Sequence, residues 1–202
     1  MITIIDYGVG NVRSVANMLN KIGEPSLITD NPDDIRAATS LILPGVGAFD
    51  TAMNELEKRG LKELLHQKVM IEKTQVLGIC LGMQLLTDGS EEGKEKGFGW
   101  IPGFAYRFPQ SAEWKVPHMR WNSVTATGES PLLSELEDDA RFYFVHSYYV
   151  KAEERQHAIL STEYGLSFDA ALQKDNIMGV QFHPERSHKF GLKLLYNFTK
   201  LR

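Results

Sequence analysis

The chain has 202 residues, enough for one generous domain with a single core. A hydrophobic content of 43%, a charged content of 24% and a formal charge of -4 are ordinary for a soluble globular protein and point to no nucleic-acid or membrane surface. One cysteine excludes an internal disulfide framework and a multi-cysteine zinc site. No apolar run can span a bilayer, and the apolar start Met1-Ile2-Thr3-Ile4-Ile5 is too short and lacks the basic lead of a secretory signal. A reducing, cytoplasmic setting is the expectation.

Taken in order, residues 2–6 read as a buried strand closed by the turn Tyr7-Gly8-Val9-Gly10. Asn11 can cap a helix whose apolar positions Val12, Val15, Ala16, Leu19 and Ile22 follow the helical period, with Gly23 ending it. A strand at 26–29, a brief helix opened by Asn31-Pro32-Asp33 and a strand at 40–43 follow. After Pro44-Gly45-Val46-Gly47, Phe49, Ala52, Met53 and Leu56 mark one helix, and Leu61, Leu64, Leu65 and Val69 another. Residues 74–79 form the next apolar run, and Leu81, Gln84, Leu85 and Thr87 then fall at helical spacing. This alternation predicts an α/β fold: a central, mostly parallel sheet flanked by helices.

The second half changes character. Residues 91–96 read as a charged, solvated loop, and residues 98–127 as short antiparallel strands. Further strands are expected over 141–145, 158–161, 169–172 and 177–182, and Phe190, Leu194, Leu195, Phe198 and Leu201 share the face of a final helix. With no repeat, low-complexity tract or linker, residues 1–202 are expected to form one domain.

The chemistry gathers at Gly78-Ile79-Cys80-Leu81-Gly82. A strand-to-helix turn of the form Gly-x-nucleophile-x-Gly forces its central side chain out at a sheet edge, and the new helix turns its dipole and free amides toward it, which favours an anion there. A lone cysteine is most often a small buried core residue; here the paired glycines and the strand-to-helix setting favour a nucleophile. Such a thiol needs a base and an orienter. His66, His157 and His188 lie in polar surroundings and read as surface residues, while His118 and His146 receive no role. His183 follows an apolar strand, Pro184 ends the pairing, and Glu185 is close enough to hold one imidazole nitrogen. Oxyanion donors are expected from the amide of Leu81 and from the glycine turn ending at Gly47. Dinucleotide, P-loop and two-histidine zinc motifs all fail on spacing, so no metal or cofactor is expected.

These segments together resemble the triad (class I) glutamine amidotransferases and, within them, the glutaminase subunits of imidazole glycerol phosphate synthase. Matching segments include Asp6-Tyr7-Gly8-Val9-Gly10-Asn11, Pro117-His118-Met119, Trp121-Asn122, residues 144–148 and Gly179-Val180-Gln181-Phe182, from the first strand to the last helix. The resemblance implies a Cys80-His183-Glu185 triad that hydrolyses L-glutamine through a thioester, with Gly47 and Leu81 at the oxyanion hole. It implies that Gln84, Ser147 and Tyr148 hold glutamine. It further implies a heterodimer in which Asn11, Trp121, Tyr143 and Arg186 face a (β/α)8-barrel cyclase. That partner would use the ammonia to make imidazole glycerol phosphate and AICAR in histidine biosynthesis. One departure is Arg120, where the family usually has glycine. A paralogous subunit feeding ammonia into surface-sugar biosynthesis is the alternative reading, and a stand-alone γ-glutamyl hydrolase a further one.

Overall fold

The computed structural model describes residues 1–201, and Arg202 lies outside the described residues. The first half alternates β1 (Ile2–Ile5), α1 (Val12–Lys21), β2 (Ser26–Thr29), α2 (Pro32–Arg36), β3 (Ser40–Gly45), α3 (Phe49–Lys58), α4 (Leu61–His66), β4 (Gln75–Cys80) and α5 (Leu81–Leu85). The second half adds β5 (Gly89–Ser90), β6 (Gly103–Arg107), β7 (His118–Ser123), β8 (Thr125–Ala126) and β9 (Arg141–His146). It continues with β10 (Tyr148–Ala152), β11 (Ala158–Glu163), β12 (Ser167–Lys174), β13 (Ile177–Val180) and α6 (His188–Thr199).

The main sheet runs β2-β1-β3-β4-β13-β12-β10-β6-β5, with β11 and β8 branching from β12. Pairing is parallel from β2 to β13 and antiparallel from β13 through β12 and β10 to β6. The expected division between halves is therefore observed, and β7 pairs with β9 in a separate two-stranded ladder.

Both faces of the parallel region are apolar because helices cover both. Ile2, Ile4, Ile42, Leu77, Ile79 and Val180 pack with α1 and α6, through Val15, Leu19, Leu194 and Phe198. Ile5, Leu41, Leu43, Val76 and Ile177 pack with Ile35, Phe49, Leu56 and Leu65 on the other side. Among the described residues no helix is long and apolar enough to cross a membrane.

Several local expectations are corrected. Asn11 does occupy the position before α1, but its side chain makes no cap hydrogen bond, whereas Asn31 Oδ1 accepts from the Asp33 amide at 2.9 Å. The charged segment 91–96 is tied down. Glu92 accepts from the Phe49 amide at 2.8 Å, and Asp50 accepts from the amides of Lys94 and Glu95. His157 is buried in the 3-10 turn that precedes β11, beside β12, although its sequence neighbours are polar. Leu201 lies beyond α6, and β10 was hidden behind β9, from which only Ser147 separates it.

Candidate active site

Cys80 ends β4, and α5 begins at the next residue. Its backbone sits at φ +56°, a conformation that costs a side-chain-bearing residue about 1–3 kcal/mol and persists only where neighbours enforce it. The enforcement is close packing. A Cβ on Gly82 would lie 1.8 Å from the Leu43 carbonyl oxygen, and one on Gly78 would lie 2.6 Å from the Gly82 oxygen. Gly82→Ala is therefore expected to cost about 3 kcal/mol or more, seen in thermal melts as a Tm roughly 6–12 °C lower. An unchanged Tm would contradict this account of the turn.

The helix after Cys80 has only five residues, so the expected macrodipole is short and only its first-turn amides act on the sulfur. Gly45 pairs with Cys80 in the β3–β4 register, and this brings the following Val46-Gly47 over the thiol. Gly47 has φ +105°, open to glycine alone without strain. The buried Tyr7 hydroxyl donates to the Pro44 carbonyl at 2.7 Å and holds the end of β3 beside the turn. Burial, and then the nearby Cys80, raise the Tyr7 pKa well above its ordinary value.

His183 lies just past the end of β13, so it and Cys80 emerge from adjacent parallel strands at their carboxyl ends, where open α/β sheets bind ligands. Its amide donates to the Tyr143 carbonyl at 2.9 Å, and its own carbonyl accepts from Ser187 Oγ at 2.6 Å. Nδ1 meets Glu185 Oε1 at 2.8 Å in a pair whose side chains are 5% and 1% exposed. Nε2 is buried and makes no hydrogen bond among the described residues, which leaves it free for a reacting molecule. Burial alone would lower the His183 pKa, but Cys80 and Glu185 outweigh it and raise it from 6.5 to about 10.

That elevation has a sign. The protonated ring stabilises the fold fully below pH 6.5, and the contribution is lost as pH climbs through about 10. Thermal melts of the native chain are expected to lose more stability across that window than melts of His183→Asn. Equal slopes would refute the coupling.

Cys80, Leu81, Gly47, Gln84, Ser147, Tyr148 and His183 all line one cavity of about 300 Å³, at the small end for ligand sites. Val46, Glu92, Pro117, Val145 and His146 complete its wall. Glu185 stands behind His183. Asn11 and Arg186 line an adjoining cavity that shares Val46, Val145 and His183 with the first. Trp121 and Tyr143 line neither. They meet edge to face at 6.2 Å on the β7–β9 ladder, where Trp121 is 37% exposed and Arg186 lies 5.9 Å over the Tyr143 ring. Arg120 is exposed on the same ladder, opposite Phe144.

A sulfur beside an imidazole that a carboxylate orients, under a turn able to offer amides, is equipped for acyl transfer. The family model for class-I glutamine amidotransferases matches residues 3–201. The chain belongs to the class-I glutamine amidotransferases. This amidotransferase is 54% identical over 200 residues to the imidazole glycerol phosphate synthase subunit HisH 2 of Methanococcus maripaludis, covering 99% of both chains. It is 50% identical over 201 residues to the subunit of the same name from Pseudomonas aeruginosa, covering 100% of both. A solved structure described as a glutamine amidotransferase superposes with a TM-score of 0.74 at 15% identity, over 99% of this chain and 97% of that one, which shows the shared fold.

Sequence reasoning left out four residues at this site. Tyr7 and Glu92 stood in a noted turn and a noted charged segment, but their contacts at the site come from chain segments far apart in sequence, so nothing local pointed to them. His146 and Gln181 also stood inside noted segments, one residue from Ser147 and two from His183, and that proximity was the one clue.

Proposed function

We propose that this amidotransferase is the glutaminase subunit of an imidazole glycerol phosphate synthase, acting as one domain beside a (β/α)8-barrel cyclase in a heterodimer. The observation that carries the reading is the single cavity that gathers Cys80 and the Glu185-held His183, in a chain so similar over its whole length to subunits of that synthase.

Cys80 attacks the carboxamide carbon of glutamine. The C–S bond forms, the C–N bond breaks, and His183 gives the leaving nitrogen its proton, releasing ammonia. His183 then takes a proton from water as the water attacks the thioester. The C–S bond breaks, its electron pair returns to sulfur, and glutamate leaves. Glu185 holds the ring in position and balances its charge. The developing oxyanion is met by the Leu81 amide and by the amide at Gly47, once that turn presents it. Gln84, Ser147 and Tyr148 hold the substrate; the Gln84 amino group is already committed to the Tyr148 carbonyl and to Gln181, so its oxygen is what remains for substrate donors.

Ammonia is mostly protonated in neutral water and then cannot act as a nucleophile, so delivery through a shielded route is favoured. The adjoining cavity, lined by Asn11 and Arg186, shares a wall of Val46, Val145 and His183 with the cavity that holds the thiol. The partner docks over it, against Trp121 and Tyr143. Purified chain is expected to release glutamate slowly alone and faster with the cyclase and its ligand; brisk cleavage of γ-glutamyl peptides without a partner would instead indicate a stand-alone hydrolase.

One observation favours a second reading. Arg120 puts an exposed guanidinium on the docking ladder where glycine is usual, and such a change suits a different barrel partner, one that uses ammonia for surface-sugar synthesis. Rescue of a histidine auxotroph lacking this subunit decides between them. Growth supports the histidine role, and no growth with an active glutaminase supports the paralogue.

A further inference from the structure

Around the cavity the buried polar side chains form one hydrogen-bonded chain, and a single carbonyl dictates its direction. The Tyr148 oxygen can only accept. Two groups converge on it, His146 Nδ1 at 2.7 Å and Gln84 Nε2 at 3.2 Å, so both must donate. Each assignment then propagates.

On one branch, His146 carries its proton on Nδ1, so in the neutral ring Nε2 accepts. Its partner at 3.0 Å is His118 Nδ1, which must donate, leaving His118 Nε2 as an acceptor. Asn122 Nδ2 lies 3.4 Å from that atom and is itself anchored by donating to the Glu163 carbonyl at 2.8 Å. Both rings are buried, and burial holds both neutral, with pKa values lowered to about 4 for His118 and about 3 for His146. On the other branch, the Gln84 amino group also reaches Gln181 Oε1 at 3.2 Å, so that atom is the oxygen. The Gln181 amino group is thereby turned to the Cys80 sulfur, 3.9 Å away. The Gln181 side chain is fully buried, so water cannot take its place.

We infer that Gln181 is a further catalytic residue, its amide N–H held on the Cys80 sulfur by a hydrogen-bond chain that the Tyr148 carbonyl directs. The inference rests on reading Cys80 as the nucleophile. Sulfur is anionic when it attacks and again when the thioester breaks, and a preoriented donor stabilises both states without reorganising. His146, His118 and Asn122 are positioning residues. They keep the Tyr148 carbonyl, and with it Gln84, in the one arrangement that aims Gln181 at the sulfur.

The chain's single cysteine makes the test clean, because iodoacetamide labelling reports Cys80 alone. Gln181→Met keeps the length and apolar bulk of the side chain and removes the N–H. It is expected to slow labelling at pH 7 about tenfold, and to lower kcat for glutamine by a similar factor with KM within about twofold. Gln181→Leu serves if the methionine variant folds poorly. His118→Phe keeps a ring beside Phe144 and Tyr164, stacked now at 5.0 and 4.1 Å, but leaves His146 Nε2 without its donor. It is expected to slow Cys80 labelling and lower kcat for glutamine, each about threefold, and His118→Asn, which restores a donor near the Nδ1 position, is expected to recover most of that.

Labelling and kcat at native levels in a folded Gln181 variant would overturn the proposal. So would a His118→Phe effect that His118→Asn fails to rescue. If labelling slows as expected while the assembled native complex releases no ammonia from glutamine, the sulfur contact stands and the glutaminase reading fails.

Discussion

Cys80→Ala is expected to abolish ammonia release from glutamine in the assembled complex, by about 10⁴-fold or more, while the chain folds and binds its partner as before. The size of the effect follows from the role. Without sulfur there is no thioester, and the remaining groups can only polarise a carboxamide toward water. The fold is expected to tolerate the change, because alanine and cysteine meet the same backbone demand at φ +56°, and the strain there is enforced by Gly82 packing against Leu43 of β3 and Gly78 packing against Gly82. Glutamate and ammonia are measured in the complex, with Tm as the control. Retained hydrolysis in a folded Cys80→Ala complex would remove the thiol from the mechanism.

Glu185→Gln is expected to lower kcat/KM by about 10²–10⁴-fold with little change in substrate affinity. The carboxylate meets His183 Nδ1 at 2.8 Å inside a pair almost closed to solvent, so nothing else can replace it. A glutamine there can present either its oxygen or its amino group to the ring, and the second choice flips the tautomer and takes the proton acceptor away from the substrate. Loss of the negative charge also removes part of what lifts His183 to about 10, so the ring is expected to titrate nearer its ordinary range. The pH dependence of kcat/KM, together with histidine NMR, checks both statements. A Glu185→Gln variant with native kcat/KM and an unshifted His183 would show that the carboxylate neither orients nor charges the base.

The elements that position this site were legible because local rules and the global fold agree there. A strand ending in glycine-spaced Cys80 and a strand ending at His183-Pro184 each carry their signal within a few residues, and parallel pairing then brings them together. The helical face of α6 was legible for the same reason, since Leu194, Leu195 and Phe198 repeat at the helical period. What stayed hidden depends on contacts across the chain. His157 looks polar by its neighbours but is buried in a turn against β12, and the segment 91–96 looks solvated but meets the amino end of α3 through Glu92 and Asp50. β10 follows β9 after a single residue and received no strand of its own in the sequence reading, because its pairing partners, β6 and β12, lie in a different sheet from β9. The chain through His118, His146, Gln84 and Gln181 is the extreme case. Gln84 and Gln181 are 97 positions apart, and no periodicity announces that their amides meet.

Arg120 is exposed on the β7–β9 ladder, opposite Phe144. Replacing it by glycine is therefore expected to leave glutamine chemistry in the cavity unchanged while altering the choice of barrel partner. Partner affinity, measured by titration calorimetry with the cyclase, reports that choice directly.

The central claim is that glutamine is broken down through a covalent bond to Cys80 for the benefit of a partner. Its most direct test is mass spectrometry of the complex, acid-quenched while turning over isotopically labelled glutamine with the cyclase and its ligand present. The expected result is a labelled γ-glutamyl group on the peptide that carries Cys80, appearing fast enough to account for the ammonia produced. Steady turnover with no adduct on that peptide, or with the label on another residue, would contradict the account.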